Sequence, residues 1–177
     1  MKKVVRYIIG LMGVLLYSLG HAEDGSQLWL RYTRVPANEA ALRRIECRVN
    51  DPVARMAAEE LQHYWRRGDV ALVIDKSWSG QQTGGYEIQS RKNKTIISAG
   101  SSAGLLYGAY HLLRLQQLQA NVQGLNIVEK PSYALRMLNH WDNLDGTVER
   151  GYAGHSFWKW SELPKRISPR YRQYAGA

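Results

Sequence analysis

KTIISAGSSAGLLYGAYHLLRLQQL, residues 94–118, contains the two periodicities that decide the fold. Its first six residues are a short apolar run of strand type. Ser101 or Ser102 then stands where a helix N-cap is wanted, because a serine oxygen can accept from an orphan backbone N–H. From there Leu105, Leu106, Ala109, Leu112, Leu113 and Gln116 recur at three- and four-residue spacing, which predicts one face of a helix running to about Leu118. Gly104 and Gly108, four apart, leave that helix surface bare where it must lie close on a sheet. In lipid such a pair would suggest helix pairing. His111, Arg114 and the glutamines instead favour packing in a water-soluble domain.

Working toward the amino terminus, the same grammar repeats. Residues 84–88 read as a Gly-Gly turn and then a strand at Tyr86-Glu87-Ile88. Residues 70–74 are a short apolar strand. Before it, Asp51-Pro52 offers an N-cap followed by proline at the first helical position. Val53, Met56, Ala57, Leu61 and Tyr64 then form an apolar stripe, and Gly68 supplies the stop. Residues 43–49 and 27–32 (QLWLRY) alternate and read as strands. Residues 125–128 close the region. Four to six strands and two helices alternate over residues 23–130. The expected class is α/β, a layered mixed sheet carrying two helices.

The first 22 residues differ in kind. Lys2, Lys3 and Arg6 precede an apolar run over 7–19, and Gly20-His21-Ala22 ends it with small residues. That layout is a secretory signal peptide cleaved after Ala22. The run is too short for the roughly 20 residues of a bilayer span. The expected location is therefore exported, periplasmic or extracellular, with no membrane association once the signal is removed. Those three basic residues carry +3 of the +9 formal charge, leaving +6. The rest of the basic charge is scattered, with no interleaved aromatic stripe of the kind nucleic acid selects. The single cysteine, Cys47, lies in an alternating stretch and reads as a small buried apolar side chain.

Lys130-Pro131-Ser132 is the boundary, since proline holds itself and its predecessor extended. Beyond it, residues 134–141 (ALRMLNHW) read as a strand that begins apolar and ends polar. In a (β/α)8 barrel, such a change places functional side chains at the strand's carboxyl end. Glycines at 146, 151 and 154, aromatics at Phe157, Trp158 and Trp160, and a basic helix start near Pro169 follow.

Residues 137–154, MLNHWDNLDGTVERGYAG, resemble the opening of the catalytic barrel of glycoside hydrolase family 67 α-glucuronidases. GLLYGAYHLLRLQ at 104–116 and DGSQLWLRY at 24–32 are similar to that family's amino-terminal domain. The 104–116 pattern also resembles helices that precede hexosaminidase-like barrels. The resemblance implies a signal peptide at 1–22, a non-catalytic α/β domain at 23–130, and at 131–177 the incomplete start of a (β/α)8 barrel. It implies removal of (4-O-methyl)glucuronic acid from glucuronoxylan-derived oligosaccharides with inversion. The sequence itself has no phosphate loop, zinc signature or Ser-His-Asp constellation, so no cofactor or metal is expected. A homodimer of the full-length enzyme is an allowed assembly. The family's catalytic carboxylates resemble residues of later barrel strands, so no catalytic residue is assigned.

The residues expected to touch sugar are Trp141, Glu149, Arg150, His140, Asn139, Asp142 and Trp158. Trp141 offers a flat apolar face and an N–H; a tryptophan packed in the barrel rim is the competing reading. Arg150 could clamp the uronate with two parallel hydrogen bonds, and Glu149 beside it could equally make a structural ion pair. His140 is a candidate proton carrier or a rim residue satisfying backbone groups. Asp142 and Asp145 lie three apart and suit loop-fixing bonds better than a catalytic pair. Two other functions stay open: an accessory carbohydrate-binding module without catalysis, and the front domain of a hexosaminidase-like glycosidase.

Overall fold

A computed structural model describes residues 32–78, 84–133, 135–137, 160–162 and 165. In chain order the described elements are α1 (Ala37–Ala40), β1 (Ile45–Cys47), α2 (Pro52–Tyr64), β2 (Asp69–Ile74), a 3-10 turn at Lys76–Trp78, β3 (Tyr86–Arg91), β4 (Lys94–Ala99), α3 (Ser102–Gln117), β5 (Asn126–Glu129) and a second 3-10 turn at Trp160–Glu162. The five strands form one mixed sheet in the order β1-β2-β4-β3-β5. β1, β2 and β4 run parallel. β3 is antiparallel to both β4 and β5. The β1–α2–β2 link is a crossover helix, as parallel neighbours require.

Both long helices begin as the sequence predicts. The Asp51 carboxylate accepts from the backbone N–H of Val53 and of Ala54, and Pro52 needs no acceptor at the first helical position. The Ser101 hydroxyl accepts from Gly104 N–H at the start of α3. Strand alternation then puts Val70, Leu72, Ile88, Ile97 and Ala99 on one face, where they share a core with Ala54, Ala57, Leu61, Leu105, Ala109, Leu112 and Leu113. The opposite face leaves Val73, Ile96 and Val128 exposed. The result is a two-layer α/β unit with helices on one side of the sheet.

Several details differ from expectation. α2 ends at Tyr64, not at Gly68, because Trp65 turns to extended geometry and enters the core, where its indole donates to the Gly68 carbonyl. Gly68 serves a later turn at φ +62, and a Cβ there would meet the Asn93 carbonyl oxygen at the β3–β4 hairpin tip. The buried stripe of α2 is rotated toward Ala54, Ala57, Glu60 and Leu61, leaving Val53 and Met56 half-buried. Small side chains at 54 and 57 let α3 lie against that side. Tyr32 is not in a strand; it packs on Tyr64 and Tyr110 at 5.6 and 6.2 Å between ring centroids. The expected 43–49 strand shrinks to Ile45–Cys47, and Cys47 is half-buried rather than buried. Residues 27–31, the remainder of the first expected strand, lie outside the described residues.

A polar pin holds the return from α3 to β5. The buried Ser90 hydroxyl donates to the Val122 carbonyl at 2.6 Å and accepts from Leu125 N–H at 2.8 Å. Ser90→Ala removes a partner from two backbone groups at once. It should cost about 1–3 kcal/mol, read as a lower urea midpoint. An unchanged midpoint would show that water substitutes for the hydroxyl.

Candidate functional site

Asn139, His140, Trp141, Asp142, Glu149, Arg150 and Trp158, the residues expected to meet sugar, lie outside the described residues. Leu135, Arg136 and Met137, from the expected 134–141 strand, are described; they are exposed and not in a strand. The described part of the molecule leading to them is the sheet end from which the chain leaves β5.

Register defines that end. Tyr86 pairs with Ala99 on one side and with Glu129 on the other, and Ile74 of β2 pairs with the same Ala99. The close of β2, β4 and β5 and the start of β3 therefore lie in one row. α3 begins beside this row and carries Tyr107 and His111 one turn apart, on a common face. The Tyr86 hydroxyl lies 2.8 Å from His111 Nδ1, and the two rings meet edge to face. Lys130 places its ammonium 5.9 Å from the centre of the Trp78 ring. Arg136 returns over the sheet end, with its guanidinium 4.7 Å from the centre of the Tyr107 ring.

Burial, reinforced by the Glu129 charge, raises Tyr86 to about 12, against the opposing influence of Arg114 and Arg136. Burial and then Arg114 depress His111, while Glu129 works the other way. At neutral pH the phenol is thus protonated and the imidazole neutral. The phenol and Nδ1 share one hydrogen bond whose direction follows the imidazole tautomer. Among the described residues, no group of three His, Cys, Asp or Glu side chains could hold a metal ion. No described helix is long and apolar enough to cross a membrane. The contacts of the cluster join α3, β3 and the segment that follows β5.

Sequence reasoning passed over Tyr86, Tyr107, His111 and Arg136. The four-residue spacing of Tyr107 and His111 was a usable signal, since it puts both on one helix face. The pairings of His111 with Tyr86 and Tyr107 with Arg136 span 25 and 29 positions, and only the topology brings them together.

Residues 115–177 match the glycosyl hydrolase family 67 middle domain, a match that begins within α3. A probable α-glucuronidase A of Neosartorya fischeri is 30% identical over 196 residues, covering 91% of this chain and 23% of that protein. A probable α-glucuronidase A of Aspergillus fumigatus is 28% identical over 201 residues, with the same coverage of each chain. Together these matches support a fragment of the glycoside hydrolase family 67 α-glucuronidase type. The chain spans about a quarter of the length of the relatives it matches end to end. The α-glucuronidase A of Aspergillus tubingensis is 36% identical over 92 residues, 51% of this chain and 11% of that one. A solved family 20 exo-β-N-acetylglucosaminidase of Vibrio harveyi overlaps 41% of this chain and 12% of its own, at 21% identity and a TM-score of 0.30.

The depressed His111 makes a signed prediction. The unfolded chain binds the imidazole proton more readily than the folded one, so His111 contributes stability above its ordinary value of 6.5. That contribution is lost as pH falls from about 6.5 through the lower folded-state value. The urea midpoint should fall over this window, and His111→Gln should flatten this part of the profile. Identical slopes for both proteins would contradict the burial of a neutral imidazole.

Proposed function

We propose that this chain is the amino-terminal part of an inverting α-glucuronidase that removes (4-O-methyl)glucuronic acid from xylo-oligosaccharides during xylan degradation. The match of residues 115–177 to the family 67 middle domain carries this reading. The names of relatives covering 91% of the chain support it. In this reading residues 1–22 export the protein to the periplasm or the medium. Residues 23–130 are a non-catalytic domain, and 131–177 open a (β/α)8 barrel whose later strands supply the acid and the base. Inversion requires those two carboxyl groups roughly 6.5–9.5 Å apart, with water between base and sugar. The partners are glucuronoxylan-derived oligosaccharides, with no nucleic acid and no cofactor.

Within the barrel mouth each residue has a defined task. Trp141 stacks on a sugar ring and donates its N–H. Arg150 binds the uronate carboxylate through two parallel bonds, with Glu149 beside it. His140, Asn139 and Asp142 supply polar contacts at the strand tip, and Trp158 lines the opening.

The purified 177-residue chain should release no glucuronic acid from aldobiouronic or aldotriouronic substrates. Turnover by this chain would mean that its own residues supply acid and base. In the longer enzyme, Arg150→Lys should lower kcat/KM on the order of ten- to hundredfold, the loss expected for a charge-assisted bond. A kcat/KM equal to that of the unaltered enzyme would remove Arg150 from the uronate site.

A further inference from the structure

Where the chain leaves the sheet, side chains far apart in sequence meet in a way that neither the core nor the glycosidase reading explains. Beyond β5 and Pro131, large apolar side chains are left open: Tyr133, Leu135 and Met137 are 75%, 74% and 75% exposed. Arg136, between two of them, is also exposed but lays its guanidinium over the Tyr107 ring of α3. The guanidinium has room there because residue 84 is glycine. A Cβ at that position would lie 2.6 Å from Arg136 Nη2 and 3.0 Å from Tyr107 Cε2. Gly84 also sits at φ +102, a conformation that a side chain would oppose. The Arg136 charge reaches Tyr86 as well, on the strand that follows this turn.

We infer that Gly84, Tyr107 and Arg136 form a clasp that fixes the direction in which the chain leaves the sheet and keeps the Tyr133/Leu135/Met137 row turned outward. The row is apolar and lies in a stretch whose described residues from 132 to 137 are all exposed. Among the described residues, Lys130 over the Trp78 ring is a second contact at the start of this link. Arg136 is a positioning residue for the segment that follows. This inference does not depend on the chain's being part of an α-glucuronidase.

Two readouts on the full 177-residue chain test it. An arginine held over a phenol ring carries Cδ protons in the ring's shielding zone, so their NMR signals should lie upfield of the random-coil position. Tyr107→Leu should return them to it, whereas Tyr107→Phe, which keeps the ring, should leave them upfield. Limited trypsinolysis reads the same contact. A partly exposed cation–π pair shifts a local opening equilibrium on the order of two- to fivefold. Cleavage after Arg136 should accelerate by about that factor in Tyr107→Leu, while cleavage after Arg48 keeps its rate. If Tyr107→Leu does not fold, the proton shifts of the unaltered chain decide alone. Random-coil Arg136 shifts in the unaltered chain, or unchanged cleavage after Arg136 in a folded Tyr107→Leu, would overturn the clasp.

Discussion

The close approach of α3 to the β3–β4 hairpin is the constraint on which the rest of the domain depends. A Cβ on Gly104 would overlap the Gly85 carbonyl oxygen and lie 2.8 Å from the Ala99 Cβ. A Cβ on Gly108 would lie 2.5 Å from Ile97 Cγ2 and 3.3 Å from the Tyr86 ring. Two missing side chains thus let a helix backbone settle almost onto the sheet. Leu105, Ala109, Leu112 and Leu113 are then buried from either side of that contact. Gly108, inside the helix, costs about 1 kcal/mol in helix propensity, whereas Gly104 lies in the first turn. A leucine alone returns about 1.5–3 kcal/mol when fully buried, so the exchange favours packing.

From that seating follow the positions that matter at the sheet end. With Gly108 against Ile97, the next residues along α3 bring His111 to the Tyr86 hydroxyl. One turn earlier, Tyr107 stands beside Gly84, where Arg136 reaches it. A helix held farther out would separate both pairs. The core and the junction are thus one arrangement, since the glycine contact that closes the first also places the second. Among the described residues Glu60, on α2, is the one buried carboxylate, and Tyr32 packs against Tyr64 of α2 and Tyr110 of α3.

Much of this was legible from local chemistry. Asp51-Pro52 and Ser101 marked both helix starts because capping is decided within three residues. The 94–99 strand was legible to the residue, since a fully inward set at Thr95, Ile97 and Ala99 admits one register. Gly104 and Gly108 also announced their role. What stayed hidden depends on distant partners. Trp65 ends α2 because the core has a place for its ring, which no cap residue signals. Glu60 is buried because α2 rotates toward its alanines, and the apolar stripe alone pointed about one residue away. Tyr32 follows strand-like neighbours yet joins two other tyrosines. The residues from Asn139 to Trp158 expected to meet sugar were read from a resemblance to family 67 and lie outside the described residues. The matches support the family 67 likeness and do not reach the roles of those residues.

A double-mutant cycle on Gly108 and Ile97, followed by urea denaturation, tests the glycine contact most directly. Gly108→Ala should destabilise the chain by about 1–3 kcal/mol through overpacking, despite its better helix propensity. In the Ile97→Ala background, where Cγ2 is gone, that cost should fall by about 1 kcal/mol or more. Costs that add within about 0.5 kcal/mol would mean the two residues do not touch. The seating of α3, and with it the junction, would then have to be drawn differently.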